Sequence, residues 1–407
     1  MRQSLSPRAS WMLMLSAAAI LMITMGARQS LGLFIAPINQ ASGLGIARIS
    51  FALAIGLFVW GAVQPIFGAL ADRHGSARIM VAGSLLLALG LACTPFARSE
   101  AALIVTLGLL SAAGAGAGSF SILIGATAAR LAPERRSFAS GFINAGGSAG
   151  QFLFAPIAQA LISAFGWITA LYALAASTLL TLPLVAGLRG DRPAQPAASS
   201  GPADGGLGAQ LRVALRDRSY WLLHAGFFTC GVHIAFLVTH LPGEVALCGL
   251  PASVSAAALA LIGLFNIAGS LMAGELGSRF RMKYVLGAMY ASRTVIIALY
   301  LVSPRTPLTF YIFAAALGFS WLATVPPTAG LVGKLFGTRY LGTLFGLTLL
   351  SHQIGGFFGA WLGGLAVTRF GDYGWMWYAD MTLAAMAALV CLPIREARLA
   401  QPAAAAA

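Results

Sequence analysis

Charged side chains are scarce in this 407-residue chain, at 9% of positions, and acids are scarcer still, 11 against 25 Lys and Arg. A soluble globular protein needs more polar surface than that to coat its core, so that class is excluded. The four cysteines, Cys93, Cys230, Cys248 and Cys391, show neither metal-ligand spacing nor a disulfide framework, which leaves packing as their use and no metal site to name. The chain also lacks a phosphate-cradling GxxxxGK[ST] loop, a nucleophile elbow and a helical HExxH. Neither an enzyme, nor an ATP-driven pump, nor a cofactor is expected. Net charge is +14, yet the basic residues are scattered through short loops instead of gathered on one domain, which argues against nucleic acid as a partner.

Apolar sequence is what the chain has in excess: 59% hydrophobic residues and a mean hydropathy of +0.85 make the bilayer the solvent. A hydrocarbon core of roughly 30 Å takes about 20 helical residues to cross, and twelve runs qualify: 11–38, 49–70, 78–97, 101–130, 137–163, 167–187, 219–241, 252–276, 284–302, 308–333, 340–367 and 374–393. The runs are continuously apolar instead of alternating, so they predict helices and not barrel strands. With both termini cytoplasmic, 19 of the 25 Lys and Arg fall on the inside, four lie in outside loops, and Arg28 and Arg293 sit within spans. That asymmetry is the positive-inside rule, and it sets the orientation.

The chain also repeats itself. The segment from Gly68 maps onto that from Gly274 at an offset of 206, and 141–166 maps onto 346–371 at 205, pairing Gly150 with Gly355 and Phe165 with Phe370. Similar halves in a membrane protein place function where they meet. The organisation expected is a six-helix bundle over 1–187, a flexible cytoplasmic linker over 188–218, a second bundle over 219–393 and a tail over 394–407. The linker's composition (RPAQPAASSGPADGG) cannot bury enough apolar surface to order itself, while Leu207 to Leu215 reads as a short basic amphipathic helix on the membrane surface.

These features reach a family. Six spans, a basic loop and six more, with GALADRHGSAR between spans 2 and 3, resemble the major facilitator superfamily over essentially the whole chain. Gly68, Asp72, Arg73, Gly75 and Arg78 match its loop signature, and Ala77 departs at one basic position. The stretch PERRSFASGFINAGGSAGQFLFAPIAQALISAFGW and the first-span ARQSLGLFIAP are similar to the monocarboxylate and oxalate/formate branch. The resemblance implies an all-α fold of twelve spans in two pseudo-symmetric bundles, and a monomeric secondary transporter of a bacterial inner membrane. Its cargo would be a small organic anion, a monocarboxylate, taken up with a proton or exchanged by alternating access. Export of small amphipathic compounds is the alternative within transport, and a transporter-like sensor without flux is the alternative outside it. Protons and membrane lipids are the other expected partners.

Ionisable groups at bilayer depth are costly unless they meet a partner or water, so the polar residues inside spans carry the site prediction. First spans of the superfamily line the central cavity, which makes Arg28 the expected anchor of an anion through its planar fork. Asn266 and Ser270 stand where proton-coupled members carry an Asp or Asn and then an Arg. Asn144, Ser148 and Gln151 form one polar stripe that faces substrate, water or another helix. His233 and His352 either bind substrate or pack with hydrogen bonds, and Gln353 and Trp321 complete the set of expected substrate contacts. Asp72 and its loop are expected to gate the cytoplasmic side. Arg293 and Asp380, about 5 Å apart in depth at the helical rise, are expected to form a structural ion pair. Pro326 and Pro327 are expected to bend span 10.

Overall fold

The computed structural model describes residues 6–128, 130–131, 133–188, 206–337 and 340–396. Span 1 is Pro7–Gln29, span 2 Ile46–His74 and span 3 Ser76–Cys93. Span 4 is segmented, passing from Glu100–Leu103 through a π-helical stretch, Ile104–Ser111, into Ala112–Ala117 and Phe120–Ala128. Spans 5 and 6 share the helical run Pro133–Leu179, divided at Gly166, and span 6 ends with Thr181–Ala186. The second half comprises span 7 (Arg218–Leu247), span 8 (Ala252–Arg279), span 9 (Met282–Val302), span 10 (Pro307–Ser320 with Val325–Phe336), span 11 (Leu341–Phe370) and span 12 (Gly374–Cys391). Helix is the state that satisfies every backbone group within its own segment, as hydrocarbon requires. Of the expected linker, 189–205 lies outside the described residues, and Gly206–Arg216 is a helix.

The repeat seen in the sequence reappears in how the helices turn and pack. Gly166, between spans 5 and 6, has φ of 81°, and Gly371, 205 positions later between spans 11 and 12, has φ of 76°. Both φ values are positive, which glycine adopts without strain, so each half turns its last hairpin on a glycine, Gly166 with ψ of 162° and Gly371 in the left-handed helical region with ψ of -3°. Within each half the first and fifth helices pack closely: a Cβ on Gly150 would lie 2.1 Å from the Met22 carbonyl oxygen, and one on its counterpart Gly355 would lie 2.0 Å from that of Phe228. Backbones in such contact gain dispersion and weak hydrogen bonds that bulkier residues forbid.

The two bundles meet through span 2 against span 11 and span 5 against span 8. The contact is tight on the side away from the termini: Gly364 abuts Ser50, Phe51 packs edge-on to Trp361 at 5.6 Å, and Gly61 abuts Gln353. On the termini side Gly68, Gly141, Gly274 and Gly346 would each accept a Cβ with nothing within 4 Å. The bundles are therefore joined along their far halves and part toward the termini.

Gly32, in the 3-10 turn after span 1, seals the far side. A Cβ there would lie 2.3 Å from the Val238 carbonyl oxygen of span 7, a clash of backbone that no rotamer relieves. Gly32→Ala should loosen this seal, raising labelling from the far side of a cysteine placed at Leu57 in a background without the native cysteines. Unchanged labelling would put the seal elsewhere.

The start of the tail is part of the fold. The Glu396 carboxylate accepts from the Met282 and Lys283 amides at the start of span 9, at 3.0 and 3.4 Å, and from Lys334 Nζ at 2.6 Å. Partial burial acts to raise the Glu396 carboxyl, but these bonds outweigh it and hold it below its ordinary value. Arg395 pairs with Asp217, whose other oxygen caps span 7 through Ser219 and Tyr220. The residues after span 12 thus tie together the ends of spans 7, 9 and 10.

Candidate functional site

Arg28 is the penultimate residue of the span 1 helix. Its guanidinium carbon stands 4.3 Å over the Trp60 ring of span 2, and neither Arg28 Nε nor Trp60 Nε1 has a hydrogen-bond partner. Among the described residues no carboxylate pairs with this cation. Arg28 forms part of the wall of a pocket that spans 1, 2, 3, 4 and 7 enclose just beneath the Gly32 seal, otherwise lined mainly by leucines. The span 4 contribution, Leu107, Ser111 and Ala112, comes from the π-helical stretch and the residue after it, and such stretches recur at functional sites. Nothing in the sequence pattern of IVTLGLLS signals a π-helix.

The second half holds a different polar centre, organised around a break. Span 10 loses its helical ladder between Ser320 and Val325, with Pro326 and Pro327 opening the segment that follows, where missing amides cost least. Buried backbone groups freed by a break must find partners. Arg293 supplies them, its Nη2 donating to the carbonyls of Ser320 and Trp321 at 2.5 and 2.6 Å, and Nη1 to Cys230 Sγ at 3.3 Å. Asn266 Oδ1 accepts from the Leu322 amide at 2.9 Å and from Ser270 Oγ at 3.3 Å, and Nδ2 donates to Ser148 Oγ of span 5 at 2.8 Å. The Asn266 amide, expected to face substrate, is thereby engaged by the protein as a tie between bundles and a brace for span 10.

The expected pair of Arg293 with Asp380 is not a direct contact. Both are fully buried, but the Asp380 carboxylate accepts from His233 Nδ1 at 2.6 Å, while the guanidinium turns to span 10. The physical reason is competition: orphaned carbonyls at the break lie within reach of the guanidinium, and span 7 brings an imidazole N–H to the carboxylate. The two charges nonetheless share one buried neighbourhood. His233 is thus held by Asp380, with its Nε2 unpartnered and its ring 5.9 Å from that of Trp321, which is itself buried.

The remaining expected contacts divide between the halves. Gln151 is buried beside Gly263 of span 8 with its Nε2 unpartnered, and Asn144 is half-buried on the same helix. Gln353 presses on Gly61 at the other seam, 205 positions after Ser148, so equivalent positions serve both inter-bundle contacts. His352 packs 5.0 Å from the Phe227 ring with Nε2 free and Nδ1 3.4 Å from Gln353 Nε2. Arg28 and Trp60 are joined in the first bundle, whereas His233, Trp321, Arg293 and Asp380 form a separate cluster in the second. In the loop after span 2, Gly75 has φ of 90°, Arg73 and Arg78 are exposed, and the Asp72 side chain lies outside the described part.

Comparison with known proteins bears on all of this. The sequence profile of the Major Facilitator Superfamily matches residues 17–360. Monocarboxylate transporter 13 of Bos taurus is 31% identical over 372 residues, covering 89% of this chain and 84% of its own. The oxalate:formate antiporter of Oxalobacter formigenes is 22% identical over 365 residues, with 89% and 86% covered. Among solved structures, that of a bacterial homolog to the human lysosomal transporter Spinster, inward-facing and unoccupied, aligns with a TM-score of 0.70 at 14% identity, over 96% of this chain and 95% of that one. This last likeness is one of fold.

Proposed function

Because the chain belongs to the Major Facilitator Superfamily, and is therefore a multi-pass membrane transporter and not an enzyme, we propose that its cargo is a small organic anion, a monocarboxylate, anchored by Arg28. The observation that carries the reading is an uncompensated guanidinium beside a membrane-buried pocket, with a second unpartnered donor, Trp60 Nε1, against it. A charge at bilayer depth without a counter-ion is costly, and a bound carboxylate would supply one through charge-assisted hydrogen bonds. The relatives' names, a monocarboxylate transporter and an oxalate:formate antiporter, support a small carboxylate as cargo, and the first of them a monocarboxylate. Arg293, a cation in the middle of span 9, has its fork engaged by backbone and leaves the role to Arg28.

Transport would proceed by rocking of the two bundles about their seams, with a proton or in exchange for a second anion. The positive-inside pattern supports a bacterial inner membrane with both termini cytoplasmic, so the parted face would be the cytoplasmic one and the gate loop around Asp72, Arg73 and Arg78 would close it. A monomer suffices for this scheme. In a thermal-shift screen of the purified protein, small carboxylates should stabilise and their neutral amides should not. Saturation near a hundred times Kd corresponds to about 2.7 kcal/mol. Stabilisation by organic cations or apolar drugs, with carboxylates silent, would replace this reading with efflux of amphipathic compounds. Counterflow in vesicles separates exchange from proton coupling, and flux of any kind excludes the sensor alternative.

A further inference from the structure

Four of the chain's five histidines lie on spans 7 and 11, and none of them lines the pocket at Arg28. His233, near the middle of span 7, donates from Nδ1 to the Asp380 carboxylate of span 12 at 2.6 Å, and both side chains are buried. That bond fixes the tautomer: the proton sits on Nδ1, so the unpartnered Nε2 is a free lone pair. Asp380 Oδ1 is likewise without a donor. The groups around this dyad are Cys230 one turn back on span 7, Arg293 and Tyr290 on span 9, Trp321 at the span 10 break and His352 on span 11. Span 8 has nothing that titrates at the depth of Asn266 and Ser270.

We infer that His233 and Asp380 form the proton-carrying site of this transporter, with the proton held on His233 Nε2. The inference rests on the proton-coupled of the two modes proposed above and not on the identity of the cargo. On loading, an Nε2–H bond forms while Nδ1 keeps its proton, giving an imidazolium that retains its charge-assisted bond to Asp380. On release the Nε2–H bond breaks and the lone pair returns. The dyad's neighbours differ on its two sides. Toward the termini, the Nε2 atoms of His352 and His224 are unpartnered; away from them, His240 Nε2 donates to the Ala360 carbonyl at 2.7 Å and Glu244 accepts from Tyr300 at 2.6 Å. Free imidazoles on the parted side and engaged groups on the sealed side suit discharge toward the termini, with water bridging the roughly 14 Å along span 7 from His233 to His224. In the loaded state one carboxylate serves two cations, Arg293 and the imidazolium. The cluster then carries one net positive charge, so a proton here and an anion in the cavity each strengthen the binding of the other.

The test is uptake of pyruvate, whose strongly acidic carboxyl leaves little neutral acid to leak across, into vesicles holding the full-length protein and read against protein-free vesicles. With the interior one pH unit more alkaline, one proton per anion sustains about tenfold accumulation. His233→Asn keeps a donor to Asp380, since its Nδ2 stands where Nδ1 does, and has no titrating Nε2. This variant should lose the accumulation and keep counterflow, which needs no net proton movement; His233→Gln repeats the test should the first fold poorly. Accumulation by the parent that ignores the pH gradient, or gradient-driven accumulation by either variant, overturns the inference and leaves the anion reading standing. Silence of the parent toward pyruvate counts against the anion reading instead. In that case, or where neither variant shows counterflow, nitrogen NMR of isotope-labelled histidines decides, with His233 assigned by elimination through variants of the other four. Proton uptake at its Nε2 between about pH 5 and 8 supports the site, and a His233 that stays neutral across that range overturns it.

Discussion

Arg28→Gln should nearly abolish carboxylate binding, and Arg28→Lys should leave a weakened remainder. Glutamine keeps hydrogen-bond donors but no charge, so the carboxylate would leave water for a leucine-lined pocket without compensation. Truncating one partner of a buried charge pair costs about 2–5 kcal/mol, a roughly thirty- to several-thousand-fold loss of affinity. Lysine restores the charge as a compact ammonium, without the planar fork and with a poorer stack on Trp60. About tenfold weaker binding is expected, the order of one hydrogen bond and part of a cation–π contact. Titration with butyrate measures both variants. Parent-like binding by Arg28→Gln would move the anchor elsewhere and remove the principal support for an anionic cargo. The same variant should melt little or no lower than the parent, because the charge it deletes is paired with no carboxylate among the described residues and only the stack on Trp60 is lost.

Arg293→Gln has the opposite profile, the largest loss of stability expected in the second bundle. The guanidinium satisfies two carbonyls at the span 10 break and touches Cys230. A shorter, uncharged amide cannot span them, so at least one buried carbonyl is orphaned at about 1–3 kcal/mol and Asp380 loses the nearby positive charge that offsets its burial. Together these cost about 3–5 kcal/mol, read as a fall in detergent melting temperature. Asp380→Asn should also destabilise, by replacing the charged acceptor of the His233 hydrogen bond with a neutral one and leaving Arg293 without its nearby counter-charge. If Arg293→Gln melts like the parent but no longer binds carboxylates, Arg293 is a ligand-binding residue and the brace assignment fails.

The two arginines are indistinguishable as letters in apolar runs. Their depth, their rarity and even the superfamily's arrangement pointed to one as an anchor and the other as half of an ion pair. Arg28 stands over Trp60 with no carboxylate paired to it among the described residues, and its role as anchor is the proposal made above. The second expectation placed the right two residues in one buried neighbourhood and assigned the wrong partners, because the break in span 10 presents carbonyls that no reading of side chains could anticipate. Pro326 and Pro327 marked the neighbourhood of that break, but its position four residues earlier depends on which side chains wait to receive the freed groups. Asn266 was misread for the same reason: its depth was evident, and its engagement with Leu322 and Ser148 was not.

What the sequence determined by itself was everything set by the solvent and by local geometry. Twelve runs had to be helices because hydrocarbon offers no hydrogen bonds, and the offset of about 205 residues made the halves equivalent. Tertiary structure alone decided which polar groups remain unpaired. A guanidinium, an imidazole or an amide becomes a binding group only when the packing of distant spans leaves it without a protein partner, and that is a property of where helices meet, here spans 1 and 2 around Arg28 and spans 7, 9, 10 and 12 around Arg293. The π-helical stretch of span 4 belongs with these, since its wider turn is held by packing against span 3, where Gly90 admits Ser111 and Thr106, and not by the propensity of its own residues.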